Sequence, residues 1–145
     1  MSIKLLEITS STPISVTPTS ALTLGKIDRK INCGETFTYN AGDLSFTINQ
    51  TGYYLIIYKL TLTSTVAAQQ MIMSLNSNGT SVSTVSSFAS TLGSSNTVEG
   101  SKIVRLFPNC SNLGINNIPI TFDITNTGAT TTIVSDSNII VIKIA

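Results

Sequence analysis

The chain of 145 residues contains no histidine and no tryptophan. Without histidine it lacks the commonest general base and the commonest metal ligand, so neither a Ser–His–Asp nor a Cys–His arrangement can form. The seven carboxylates are scattered along the sequence, and no spacing between them indicates acid–base catalysis. A Gly-rich phosphate loop is also absent. We therefore expect a protein that is not an enzyme and that binds no metal or cofactor.

Charge is equally scarce. Charged residues make up 10% of the chain, against about a quarter in typical soluble domains, and the net charge is +1. A nearly neutral chain has no electrostatic attraction for nucleic acid or for an anionic membrane. No apolar run approaches the ~18 residues of a membrane span, and the N-terminal segment lacks a signal-peptide core. We expect neither nucleic acid nor membrane as a partner, and assembly in the cytoplasm.

Only two cysteines are present, Cys33 and Cys110, and they fit no metal-binding spacing. Two cysteines in a chain of this length do not form a disulfide framework. Two packed thiols and a single Cys33–Cys110 disulfide therefore both stay open.

Serine and threonine are abundant instead, at about 29% of the residues. Apolar and polar residues alternate in many short segments, and no segment keeps a helical apolar period beyond two turns. Asn78-Gly79 between two such segments predicts a tight hairpin, because both central positions of a type I′ turn favour positive φ. Eight or nine short strands at this spacing predict an all-β sandwich or barrel.

The stretch from Asp43 to Thr63 dominates this pattern. Its first strand is apolar on one face, whereas the strand that follows Gly52 is apolar on both faces from Tyr53 to Tyr58. The segment from Ile139 to Ile144 is apolar on both faces as well. Such strands must be covered on both sides, and the second cover can be another copy of the chain.

The N-terminal region has a different character, since prolines and hydroxyl residues interrupt its short apolar alternation. Proline confines such a segment to extended or edge conformations. We predict an extended attachment arm over residues 1–30 and a β-domain over residues 31–145; an ordinary edge strand is the alternative for the first segment. The contact residues of the arm would be Ile3, Leu5, Ile14 and Val16.

Two polar stretches, Phe88–Gly100 and Pro108–Asn117, read as surface loops. Long loops in a small β-domain often carry binding functions. The candidate binding residues in these loops are Ser94, Ser95, Asn96, Asn112 and Asn116.

Two hairpins carry a resemblance to a known family. Gly42–Phe46 followed by Gly52–Tyr58 resembles the G-x-x-F…G-x-Y-x-I/F-x-Y hairpin of the tumour necrosis factor and complement globular-head superfamily. Met71–Val82 is similar to that family's V-x-L-x-x-N-G-x-x-V segment, and Asn138–Ile144 is similar to its closing strand. The resemblance covers about residues 33–145.

This resemblance implies an antiparallel jelly roll of eight or more strands that forms a homotrimer about an axis lined by apolar strand faces. The two strands with apolar residues on both faces suit that arrangement. The trimer interface would contain Tyr53, Leu55, Ile57, Ile139 and Val141.

Members of similar Ser/Thr-rich character are phage head-fibre and capsid-decoration proteins and the tip domains of collagen-like spore-surface glycoproteins. The chain has no Gly-X-Y stalk, which separates it from the spore proteins. We expect a structural subunit on the surface of a phage virion, attached to a capsid or other particle protein through its arm. A module that binds a host receptor or glycan, and a spore-surface or self-polymerising filament subunit, are the alternatives.

Overall fold

Eleven β-strands make up the secondary structure of the described chain, which contains no α-helix. The computed structural model describes residues 3–31, 35–106 and 118–145. Cys33, Cys110, Asn112, Asn116 and the predicted loop 108–117 lie outside these ranges. The strands are β1 (Leu5–Ser10), β2 (Ile14–Val16), β3 (Lys26–Ile31), β4 (Phe37–Thr38), β5 (Ser45–Ile48), β6 (Gly52–Ser64), β7 (Gln69–Ser77), β8 (Thr80–Ala89), β9 (Ser95–Leu106), β10 (Ile120–Asn126) and β11 (Thr132–Lys143).

The strands form two antiparallel sheets that pack face to face. One sheet, which we call the inner sheet, has the strand order β3-β1-β11-β6-β9, and β2 pairs with the beginning of β11. Each sheet has one face on the core between the sheets and an outward face that points away from the core. The outer sheet has the order β4-β5-β10-β7-β8. The prediction of an all-β antiparallel sandwich is therefore confirmed.

The two ends of the sandwich differ. At one end, the base, the amide of Lys143 donates to the carbonyl of Lys4 at 3.0 Å, and Tyr53 N–H donates to Ala145 O at 2.9 Å. At the other end, the apex, Ser64 pairs with Thr132, and the turns β6–β7, β8–β9 and β10–β11 lie there. The base thus holds the first and last described residues, and the apex holds loops.

The core lies between the sheets and is built from alternate residues of each strand. On β6 these residues are fully buried, and Tyr54 contacts Phe37 edge to face with ring centroids 6.0 Å apart. Phe46 and Phe122 stack across neighbouring strands of the outer sheet at 5.4 Å. Burial of each large apolar side chain contributes roughly 1.5–3 kcal/mol, so this layer supplies much of the stability.

The Asn78-Gly79 hairpin is confirmed. Ser77 pairs with Thr80, and the two residues between them have φ of +46° and +85°. Both values lie in the left-handed region that a type I′ turn requires.

The predicted loop Phe88–Gly100 is wrong in extent. Strand β8 continues to Ala89 and β9 begins at Ser95, so only residues 90–94 form a turn. Strand β9 lies at the edge of the inner sheet, where polar side chains reach water on the exposed side. Its first half therefore carries serine, threonine and asparagine, which resembles a loop in composition.

A separate arm over residues 1–30 is also wrong. Strand β1 lies between β3 and β11 inside the inner sheet, and Leu6 and Ile8 are buried. Among the predicted arm residues, Val16 is buried at 2% exposure, Leu5 and Ile14 are half-buried, and Ile3 is 62% exposed. The segment is part of the domain because its alternate apolar residues complete the core.

Candidate subunit interface

A row of apolar side chains crosses the whole inner sheet on its outward face. Cross-strand pairing places directly opposite one another, in order, Ile31, Leu5, Ile142, Leu55 and Ile103. Opposing side chains in a sheet lie about 5 Å apart, so the row is continuous. Four of its members are half-buried and the edge residue Ile103 is 58% exposed.

Apolar residues continue on both sides of this row. Towards the base, Tyr53 is 38% exposed and lies opposite Arg105. Towards the apex, Ile57 and Ile140 pair with each other and are half-buried. We call this surface the apolar face; it comprises Leu5, Ile31, Tyr53, Leu55, Ile57, Ile103, Ile140 and Ile142.

The same side of the inner sheet becomes polar from the level of Ile57 and Ile140 towards the apex, and Glu7 lies directly opposite Ile140. Glu7 accepts hydrogen bonds from Arg29 Nη2 at 3.3 Å and from Asn138 Nδ2 at 2.9 Å. Lys59 and Glu99 follow at directly opposing positions. Towards the apex, the surface continues as hydroxyl pairs, Thr61 with Thr97 at 3.0 Å and Thr63 with Ser95 at 2.6 Å.

The outward face of the outer sheet has a different chemistry. Its side chains are mainly hydroxyls and amides that bond to one another: Thr47 with Thr121 at 3.2 Å, and Asn76 Nδ2 with Asp123 Oδ1 at 2.9 Å. Of the two outward sheet faces in the described chain, the face of the inner sheet is therefore the apolar one.

Five residues were predicted to point outward at the subunit interface. Three of them point outward in the structure and two point into the core. Tyr53, Leu55 and Ile57 lie on the apolar face. Ile139 and Val141, predicted at the interface, are buried in the core at 1% and 0% exposure. The contact of the three correctly placed residues with a second subunit stays a prediction.

A β-bulge in β11 explains the two errors. Thr132 and Val134 are buried, so unbroken alternation would bury Ile140 and turn Ile139 outward. The pairing with β6 shifts between Val134 and Asp136, which reverses the alternation for the rest of the strand. Ile140 and Ile142 consequently replace their neighbours on the apolar face.

Sequence reasoning also missed Leu5, Ile31 and Ile103 as members of this face. Leu5 was predicted to be a contact residue of the arm, and Ile31 follows the charged segment 26–30, so local patterns did not give the position of either residue in a sheet. Ile103 and Val104 are adjacent apolar residues that point to opposite faces of the edge strand β9. Only the pairing with Leu55 shows that Ile103 belongs to the row. Of the predicted loop residues, Ser94 is half-buried in its turn, and Ser95 and Asn96 are exposed at the start of β9.

A groove of about 1090 Å³ opens beside the polar part of this surface. Its charged lining residues are Lys26, Asp28, Lys59 and Asp136, so cations and carboxylates balance. Within residues 3–31, 35–106 and 118–145, no three carboxylates cluster as a metal site would require. Over the same ranges the structure contains no helix that could span a membrane.

The perturbed titrating groups are tyrosines of the core. Burial raises the pKa of Tyr54 to about 12, and its hydroxyl donates to the carbonyl of Gln50 at 2.7 Å. Burial also raises the pKa values of Tyr39 and Tyr58, and Tyr58 shares a hydrogen bond of 2.7 Å with Ser83. These phenols lie away from the apolar face and act in stability.

Comparison with known proteins places the fold. No family model and no curated protein matches the sequence. The structure is similar to Eiger TNF from S. frugiperda (TM-score 0.70, 11% identity), covering 100% of this chain and 94% of that one. It is similar to murine APRIL (0.62, 9%, covering 98% and 99%) and to PRD1 vertex protein P5 (0.56, 17%, covering 100% and 99%). The chain therefore has the tumour necrosis factor-like jelly-roll fold that the hairpin motifs predicted.

Proposed function

We propose that the chain is a non-enzymatic structural subunit of a virus particle that forms a homotrimer through the apolar face. The observation that carries this proposal is the row from Ile31 to Ile103, which crosses five strands without a polar interruption. A contiguous apolar surface of this kind marks an interaction site, because burying it stabilises a complex by roughly 25 cal/mol per Å².

A second and third copy of the chain fit the apolar face better than an unrelated partner. The face extends over all five strands from β3 to β9, and few charged residues lie beside it that would select a foreign surface. The trimer is the arrangement implied by the tumour necrosis factor-like motifs and fold. Arg29 and Glu7 at the border of the face already bind each other, so the border is satisfied within one subunit.

The location on a virion is supported by two observations. PRD1 vertex protein P5 is similar to this chain over its full length, and a neutral Ser/Thr-rich surface suits an exposed particle protein. Attachment would use the base, where Ile3 is 62% exposed beside the first strand. The apex loops would then point away from the particle.

The oligomeric state tests the interface. Native mass spectrometry of the wild-type chain at micromolar concentration should give a trimer. Leu55→Asp and Ile142→Asp should each give folded monomers, because a carboxylate within the buried interface loses its hydration. Ser86→Asp, an exposed position on β8 of the outer sheet, is the matched control and should stay trimeric.

A monomeric wild type at these concentrations would contradict the proposal, as would a trimer that persists in both aspartate variants. Circular dichroism of each variant distinguishes loss of association from loss of folding.

The virion location has its own test. Antibodies raised against the purified chain should label the surface of particles made by cells that carry its gene, and unlabelled particles would contradict that location.

A further inference from the structure

Three exposed apolar side chains lie at the apex, far from the apolar face. Val66 in the β6–β7 turn is 44% exposed, Leu92 in the β8–β9 turn is 67% exposed, and Phe88 near the end of β8 is 57% exposed. We call these three residues the apical cluster. Phe88 lies directly opposite the exposed amide side chain of Gln70 on the neighbouring strand.

The two turns that carry the apical cluster are bound to each other. Ala68 N–H donates to Ser90 O at 3.2 Å, and Gly93 N–H donates to Ser64 O at 3.2 Å. The hydroxyl of Ser64 donates to Thr91 O at 2.8 Å. These bonds hold the turns side by side, so Val66 and Leu92 belong to one surface.

A buried amide fixes this surface from below. Gln69 is 3% exposed; its Oε1 accepts from Thr65 N–H at 2.8 Å, and its Nε2 donates to Thr131 O at 2.9 Å and to Thr132 Oγ1 at 3.1 Å. A fully bonded buried side chain rigidifies what it joins. The apical cluster is therefore presented by a braced scaffold.

Backbone strain is concentrated at the same end. Among described residues other than glycine, positive φ occurs at Ala68 (+54°), Thr19 (+66°) and Asn78 (+46°). Asparagine adopts positive φ at little energetic cost, whereas alanine and threonine are strained there. Ala68 and Thr19 both lie in apical turns. Strain of this kind persists where the surrounding structure enforces it, which is common at binding sites.

The apex carries no charge. The apical turns and the strand ends beside them, residues 14–22, 60–72, 86–98 and 124–134, contain no Asp, Glu, Lys or Arg. The exposed polar residues of the β8–β9 turn and of the start of β9 are uncharged instead, and they include Ser90, Thr91 and Asn96. A charged ligand would find no ion pair on this surface, and an anionic membrane no cation.

We propose that the apex binds a neutral carbohydrate. A sugar ring presents an apolar C–H face, which suits the exposed ring of Phe88, and a rim of hydroxyls, which suits Gln70 and the surrounding serines and threonines. A rigid surface with one aromatic platform and uncharged hydrogen-bonding groups matches that chemistry. The outward direction of the apex rests on the proposed function, whereas the site itself does not.

The test uses the full chain and an array of neutral, sialylated and sulfated oligosaccharides, followed by titration calorimetry with the neutral glycan that binds best. Binding should be confined to neutral glycans and should change less than about twofold between low and high salt, because no ionic contacts form. Phe88→Ala should weaken binding at least about fivefold. Leu44→Ala removes a 51% exposed apolar side chain elsewhere and should leave binding unchanged.

Several outcomes would overturn this inference: no neutral glycan bound, binding restricted to charged glycans, or a Phe88→Ala variant with unchanged affinity. Binding to phosphatidylcholine vesicles without glycan binding would assign the apex to lipid instead. The native mass of the same samples separates the two proposals. If the chain is a trimer that binds no glycan, the proposed function stands and the apical site is refuted. If it is a monomer that binds a glycan, the apical site stands and the proposed trimer is refuted.

Discussion

The ring of Tyr58 lies against the backbone of Gly100 at the directly opposing position of the neighbouring strand. A Cβ placed on Gly100 would lie 2.4 Å from Cζ of Tyr58 and 2.5 Å from its hydroxyl oxygen. The missing side chain on β9 thus makes room for a fully buried tyrosine whose hydroxyl bonds Ser83.

Gly100→Ala should therefore lower the free energy of unfolding by about 1–3 kcal/mol, since the ring must move within a filled core. Urea denaturation followed by circular dichroism measures the change. In a Tyr58→Leu background the same substitution should cost clearly less, because the ring that it strikes is gone. Equal costs in both backgrounds would show that the contact with Tyr58 is not the cause.

Stability should fall at high pH because of the buried phenols. The pKa of Tyr54 is raised from 10.0 to about 12 by burial, so the unfolded chain releases the proton first. The contribution is complete below a pH of about 10 and is lost as the pH rises towards 12. Urea denaturation across that range measures it. Tyr54→Phe should be less stable at neutral pH, where it loses the bond to Gln50, yet show a shallower alkaline decline.

Asn126→Asp should destabilise the fold by about 3 kcal/mol or more. Asn126 is fully buried, and its Nδ2 donates to Val16 O at 2.8 Å and to Thr130 O at 2.9 Å. A carboxylate oxygen in that position would face two carbonyl oxygens. Asn96→Asp is the control, because Asn96 is exposed and should change stability by no more than about 0.5 kcal/mol. Similar effects of the two variants in urea denaturation would contradict this explanation.

The positive φ of Ala68 predicts a stabilising substitution. Ala68→Gly should raise the free energy of unfolding by about 1 kcal/mol, because glycine adopts φ of +54° without strain. Ala67→Gly in the same turn should instead lower it by a few tenths to about 1 kcal/mol through chain entropy. Thermal denaturation of the pair gives the comparison. A loss of stability in both variants would mean that Ala68 is not strained.

Removal of residues 1–25 should abolish the folded state, because β1 and β2 leave with several core residues. The matched control removes only residues 1–3 and should keep the native circular dichroism spectrum and elution volume. A stable domain after the longer truncation would restore the attachment-arm interpretation.

Much of the fold was readable from the sequence, because local patterns decide which segments are strands. Alternation in β6 identified its inward and outward residues, and Asn78-Gly79 identified a hairpin with its turn type. The order of strands in the sheets was not readable from local patterns. The strand order could be expected only from the family resemblance, because pairing partners such as Leu5 and Ile142 are distant in sequence.

The candidate interface was only partly predictable for the same physical reason. Where a strand is apolar on both faces, as from Ile139 to Ile142, composition cannot say which residues point inward. The bulge between Val134 and Asp136 decides the question, and the polar residues around it give no clear signal for one. Ile31 and Ile103 joined the apolar face only through pairings across the sheet.

The central position of β11 has a consequence for biosynthesis. Its partners β1, β2 and β6 all precede it in the sequence, and Leu5 must find Ile142 across almost the whole chain. During translation the inner sheet cannot close until β11 has left the ribosome. Folds dominated by such distant pairings form over milliseconds to seconds. The apolar face of a nascent chain is therefore assembled last, which would delay the proposed self-association until β11 has joined the sheet.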